Sequence, residues 1–204
     1  MIEDFQSRQD VLQVLRLWSL PKKPLSVQLL ERNIAPEDLE DVLSTIQPAD
    51  APMTAEEAVN ATFARKTIEP QRYNNSTFSA LYTALERETC LAEIQYHVGP
   101  RVEKSAPRYY QFISITFNGN LLDLCGYEAE YPNLVSVTEV GYPFCQTLAV
   151  EAKAAGHHAL HAPSARSQNG KCVPIFYRAN VSEISSQDRI RFALEGGALT
   201  VTAA

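Results

Sequence analysis

Arg72, Tyr82, Glu93, Ser164 and Arg166 are the residues of this sequence whose types and order could do chemistry together. Arg72 opens Arg72-Tyr73-Asn74 in a polar stretch from Glu69 to Thr77. A guanidinium fork matches paired phosphate oxygens in a way that the point charge of lysine does not. Arg72 can therefore hold a diphosphate; its ordinary reading is a solvated loop arginine. Tyr82 follows ten positions later (82 − 72), inside the apolar run Ala80–Ala84. Its ring can stack on an aromatic ligand or its hydroxyl can bond a sugar, although a strand tyrosine is most often a core ring with a bonded hydroxyl. Glu93 comes eleven positions after Tyr82 (93 − 82), among Cys90, Leu91, Ala92 and Ile94. A carboxylate beside an apolar face is either a rim residue reaching water or a group held for catalysis. Ser164 follows Pro163, and Arg166 lies two residues on. Ser164 is a turn serine or a ligand-binding hydroxyl; Arg166 is a second phosphate contact or a solvated cation.

Other chemistries lack their marks. There is no GxGxxG fingerprint, no P-loop and no GxSxG elbow. His157, His158 and His161 cluster, and His157 and His161 are four apart (161 − 157), but they follow Gly156, where a helix ends, and no HExxH is formed. The four cysteines, Cys90, Cys125, Cys145 and Cys172, form no CxxC pair. The expectation is no resident metal and no resident cofactor.

Arg72-Tyr73-Asn74, then Ala80-Leu81-Tyr82-Thr83-Ala84, Leu91-Ala92-Glu93-Ile94 and Pro163-Ser164-Ala165-Arg166 together resemble the RES family, named for its Arg, Glu and Ser. The resemblance covers roughly residues 61 to 204. It implies an ADP-ribosyltransferase-like domain that destroys NAD, often as a bacterial toxin neutralised by a helix-turn-helix, Xre-type antitoxin or an immunity protein. NAD is then the substrate. The catalytic set is Arg72, Tyr82, Glu93 and Ser164, and Arg72, Tyr73, Asn74, Tyr82, Ser164 and Arg166 hold the NAD. The acceptor stays open among water, inorganic phosphate and a protein side chain, and so does a binding module without turnover. The chain departs from the family pattern at Gln71, where a glycine usually stands, and at Asn75-Ser76-Thr77, where the turn usually carries glycine. An earlier family arginine has no clear counterpart, Arg65 being the nearest candidate.

The composition fits such an enzyme. The chain has 204 residues, 45% hydrophobic and 21% charged, the profile of a soluble globular protein. A net charge of −6 argues against a general nucleic-acid surface. No apolar run reaches membrane-spanning length, and the acidic start Met1-Ile2-Glu3-Asp4 is unlike a signal peptide. A cytoplasmic location is expected.

The elements that would position the site make a fold of α+β class, with a mixed sheet, flanking helices and an N-terminal helical extension. Phe5, Val11, Leu12, Leu15, Leu17 and Trp18 give residues 5 to 20 a helical reading, and a second helix is expected over Pro36–Ile46. The proline-bounded stretch 47–52 reads as a linker, which divides the chain into an extension, 1–52, and a RES domain, 53–204. The extension is expected to pack on the main domain, on a second copy as a homodimer, or on a partner, and to supply no site residue. Thr54 and Glu57 form a capping box for a helix to about Arg65. Strands are expected at Ala80–Ala84, Tyr109–Phe117, Leu121–Leu124, Ala159–Ala162, Cys172–Tyr177, Ile190–Leu194 and Leu199–Thr202. Helices are expected at Glu86–His97 and Phe144–Ala155. Asn118-Gly119-Asn120 and Gly196-Gly197 read as turns.

Overall fold

A long antiparallel pair organises the molecule. The computed structural model describes residues 2–20, 35–38, 54–65, 67–98, 107–195 and 198–204. Strand β1 (Gln6–Ser19) pairs with β2 (Arg108–Asp123) through fourteen successive partners, from Gln6↔Asp123 to Ser19↔Tyr110. The other edge of β2 is shared. β5 (Val181–Glu195) runs antiparallel along residues 108–117, and β3 (Ala159–Pro163) runs parallel along 121–123. β4 (Lys171–Cys172) extends the sheet beyond β3, and β6 (Ala198–Ala203) beyond β5. Parallel and antiparallel pairs make the sheet mixed, as the sequence predicts.

The helix expected over residues 5 to 20 is not formed. The apolar positions in Val11–Trp18 fit a helical stripe, but they also suit a strand, and pairing with β2 decides between the two. Val14 and Leu17 enter the core from β1. These residues are therefore built into the sheet and do not stand apart as a helical extension. Pro36–Asp38 forms a single 3-10 turn. The rest of the second expected helix, the linker 47–52, the domain boundary at 52/53, and the Gly99-Pro100 and Gly196-Gly197 breaks lie outside the described residues.

Among the described residues, three α-helices cover the sheet. Helix α1 (Ala55–Phe63) starts at the expected capping box: Thr54 Oγ1 accepts from Glu57 N at 3.2 Å, and Glu57 Oε2 accepts from Thr54 N at 2.6 Å. Its Ala58 and Val59 pack with Val14, Ile113, Ile115 and Phe117. Helix α2 (Arg87–Val98) places Cys90, Leu91 and Ile94 against Leu17, Phe112 and Phe192. Helix α3 (Tyr142–Ala154) buries Cys145, Leu148, Ala149 and Ala152 against Leu122, Leu160 and Phe176.

Two further expectations change. Asn118-Gly119-Asn120 is the middle of β2, not a turn. Glycine is required at 119 by a close approach: a Cβ there would meet His158 Nδ1 at 2.6 Å. Ala80–Ala84 is extended but makes only single bridges, Leu81↔Ile175, Ala84↔Leu15 and Ala84↔Cys172. Ile175 makes isolated bridges to Leu81 and Ala159, so of the expected strand Cys172–Tyr177 only Cys172, with Lys171 before it, joins a ladder. The bridges at Ala84 join β1 to β4 and close a ring through β3 and β2. The cleft described next opens where this closure is made of single bridges.

Candidate active site

A cavity of about 280 Å³ is lined by Leu17, Tyr82, Thr83, Ala84, Cys90, Glu93, Pro163 and Cys172, among others. Its size lies near the lower end of ordinary small-molecule sites, ~300–1,000 Å³. Glu93 reaches it from α2. Ser164 lies at the end of β3, 8% exposed, and its hydroxyl donates to Glu93 Oε1 at 2.6 Å. The same oxygen Oγ accepts the backbone N–H of Arg166 and of Ser167, each at 3.0 Å. With both acceptor positions filled by N–H groups, the hydroxyl proton can point only at the carboxylate. Cys172 adds a weaker donor to Oε1 at 3.7 Å. Oε2 receives no hydrogen bond from any described residue, which leaves it for a ligand.

The loop carrying Ser164 is fixed to the helix carrying Glu93. Ser164 N donates to Gly170 O at 2.8 Å, closing the loop. At the start of α2, Glu86 Oε2 accepts from Thr89 Oγ1 at 2.7 Å and from Lys171 N at 2.9 Å. Gly170 sits against Thr89, where a Cβ would come within 2.3 Å of Oγ1. The Ser164–Glu93 contact is thus a consequence of how β3 and β4 dock on α2.

Tyr82 organises the Arg72-Tyr73-Asn74 turn. Its hydroxyl accepts from Tyr73 N at 2.7 Å and donates to Asn74 Oδ1 at 2.9 Å. Burial pushes this phenol far above its usual range. Gln71 N donates to Asn74 O, and Asn74 Nδ2 donates to Glu69 O at 3.1 Å, so buried Asn74 holds the turn. Tyr73 is 2% exposed, packed in the core under the cleft. Only the ring of Tyr82 is left for a ligand, because its hydroxyl is committed. Arg72 faces the cleft but also clamps the neighbouring loop: it donates to Asn133 O at 3.3 Å and to Ser136 O at 2.6 Å. Its guanidinium lies 5.0 Å from the ring centre of Tyr142, at the start of α3.

The electrostatics come from several segments. Arg16, Arg65, Arg72 and Arg166 all line the cleft with Glu93, in a chain whose net charge is −6. Arg16 projects from β1 and donates to Tyr82 O at 2.9 Å. Burial, and secondarily the charge of Arg65, pull its guanidinium down to about 10, so it remains charged at neutral pH. Two like charges oppose each other, and an anion bound between them would relieve both. Arg166 stacks at 3.5 Å on the ring of Tyr96 at the rim. Sequence reasoning expected no site residue before residue 53, whereas Arg16 and Leu17 line the cleft. Only the pairing of β1 with β2 could have found Arg16.

The thiols of the cleft are not poised as nucleophiles. Burial pushes Cys90 up to about 12, and burial followed by the nearby Glu93 charge raises Cys172 well above the usual thiol range. The three neighbouring histidines do not converge. His157 Nε2 lies 3.4 Å from Ser7 Oγ, His158 Nδ1 accepts from Asn120 N at 3.0 Å, and His161 Nδ1 contacts Asp123 Oδ1 at 2.8 Å. Among the described residues, no helix is long and apolar enough to cross a membrane.

Comparison with known proteins adds to this geometry. The family model for the RES domain matches residues 45–195. Among solved structures, the crystal structure of the M. tuberculosis MbcT-MbcA toxin-antitoxin complex is similar, with a TM-score of 0.51 at 13% identity. The match covers 94% of this chain and 90% of that one. No curated protein sequence matches.

Proposed function

The chain belongs to the RES domain family, and on that premise we propose that it is a toxin that consumes NAD by breaking the bond between nicotinamide and ribose. The observation that carries this reading is the carboxylate of Glu93, locked by Ser164, in a cleft otherwise lined by four arginines. An arginine-rich wall suits a diphosphate. A lone oriented carboxylate suits a positive charge that appears during reaction. NAD brings both, a diphosphate and a ribose that turns cationic as its nitrogen bond breaks.

In this scheme the carbon–nitrogen bond breaks heterolytically. Its electron pair leaves with the pyridinium nitrogen, so nicotinamide departs neutral and needs no acid. The oxocarbenium-like ribose left behind faces Glu93, whose free Oε2 bonds a ribose hydroxyl and opposes the developing charge. Arg16, Arg65 and Arg166 hold the diphosphate, and Arg72 shares that work while keeping the 133–136 loop against the cleft. Tyr82 presents its ring to the nicotinamide side. The acceptor is water or inorganic phosphate, whose oxygen attacks the ribose carbon and whose proton passes to solvent. A protein side chain as acceptor would use the same anchors.

The similar fold of MbcT, a toxin in complex with its antitoxin, supports a cognate antitoxin as partner here. It acts as a cytoplasmic check on NAD loss, and an Xre-type helix-turn-helix protein fits the role. The deciding experiment incubates the purified chain with NAD, with and without phosphate, and identifies products by mass spectrometry. Free nicotinamide with ADP-ribose marks hydrolysis; a phosphorylated ADP-ribose marks phosphorolysis. Intact NAD in both reactions would reduce the chain to a binding module.

A further inference from the structure

A second cluster lies away from the substrate contacts, where β2 meets β3. The parallel register pairs Asp123 with His161 and brings Cys125, just past the strand end, beside the imidazole. His161 Nδ1 is 2.8 Å from Asp123 Oδ1. Arg8 Nη2 also lies 3.4 Å from Nδ1, but the carboxylate is much nearer and can only accept, which assigns the proton to Nδ1 and leaves Nε2 its lone pair. That lone pair faces Cys125 Sγ across 4.0 Å. Asp123 is fully committed: Oδ1 also accepts from Cys125 N at 3.1 Å, and Oδ2 is paired with Arg8. The cluster therefore offers one thiol and one imidazole as direct ligands, with the carboxylate orienting the ring from behind.

We propose that Cys125 and His161 form a low-coordinate binding site for a soft metal ion, Cu(I) being the best fit. Metal–sulfur and metal–nitrogen bonds run about 2.3 and about 2.0 Å. An ion touching both atoms at their present separation subtends an S–metal–N angle of roughly 135° on those bond lengths. That is wider than a tetrahedron allows and suits an ion content with few ligands. Thiolate and imidazole suit both zinc and copper, but a structural Zn(II) site asks for four donors and the hard ions Mg(II) and Ca(II) for oxygens, so two donors favour Cu(I). The aspartate–histidine pair is the arrangement that fixes ring orientation and raises ligand basicity at protein metal sites. Access is open, because Cys125 is only partly buried and Gly126 beside it is exposed. On binding, the thiol proton leaves to solvent and the thiolate takes its place on the metal. The bound ion would tie the end of β2 to β3, three residues before Ser164 (164 − 161).

The test is anaerobic titration of the reduced full chain with Cu(I) against a chromophoric Cu(I) chelator. One tightly held ion per chain is expected. Cys125→Ser should weaken it by more than tenfold, and Asp123→Asn by about 10- to 100-fold, through loss of ring orientation. Absorption spectroscopy at the copper edge of the wild-type complex should show one sulfur and one imidazole nitrogen, a readout that needs no variant to fold. Binding by Cys125→Ser within twofold of wild type, a first shell of two sulfurs, or Zn(II) held as tightly as Cu(I) would each overturn the assignment.

Discussion

If the chain cleaves NAD as proposed, replacing Ser164 by alanine should slow that cleavage through kcat and leave KM nearly unchanged. The hydroxyl makes one hydrogen bond to a carboxylate, 2.6 Å long, and accepts two from backbone N–H groups. A hydrogen bond to a charged group is worth about 1.5–3 kcal/mol, more than a neutral one. Each 1.36 kcal/mol is tenfold in rate, so loss of Glu93 orientation corresponds to about a 10- to 150-fold fall in kcat. Freeing the N–H groups of Arg166 and Ser167 would also loosen the loop, which lowers the melting temperature by a few degrees without unfolding the chain. The assay is steady-state release of nicotinamide, with circular dichroism to confirm the fold. A Ser164 that binds substrate directly would instead raise KM at similar kcat. Wild-type kinetics in Ser164→Ala, or a pure KM effect, would refute the positioning argument.

Three more outcomes follow from the same geometry. Glu93→Gln keeps the shape but removes the charge, and nicotinamide release should fall by about a hundredfold or more, with the melting temperature retained; a near wild-type rate would remove Glu93 from catalysis. Arg16→Gln should raise KM for NAD by roughly tenfold or more through loss of a charge-assisted contact, read by the same assay against a control melt; an unchanged KM would leave Arg16 as a support for Tyr82 alone. A chain beginning at residue 53 loses β1, the strand paired along β2, together with buried Val14 and Leu17, and circular dichroism should show no cooperative melt; a folded, active product would mean that the sheet survives without this edge.

The part of the site that was legible in the sequence is the part carried by short spacings. Glu93 sits on a helix whose neighbours Leu91 and Ile94 point inward, and that periodicity is local. The capping box at Thr54 and the helix beginning near Tyr142 are equally local and are found where expected. The roles of Ser164, Tyr73 and Asn74 were less legible, because a residue type does not say which partner its polar atoms meet. The family resemblance makes Tyr82 a ligand group, yet its hydroxyl is consumed by Tyr73 and Asn74, so any contribution falls to the ring.

The arginine wall was illegible for a different reason. Arg16, Arg65, Arg72 and Arg166 are spread over 150 residues (166 − 16) of a chain that is acidic in sum. Only the sheet brings them to one cavity, and the decisive element is β1, whose pattern reads as a helix when taken alone. An antiparallel partner as long as β2 converts that pattern into a strand and turns Arg16 toward Tyr82. Net charge therefore argues against a nucleic-acid surface but says nothing against a local anion site. Burial first, and then the charge of Arg65, lower the proton affinity of Arg16. On the proposed reading, a diphosphate entering the cleft would offset both the burial of the Arg16 charge and its repulsion from Arg65, so part of the energy of anchoring such a ligand would come from cations the fold has already gathered.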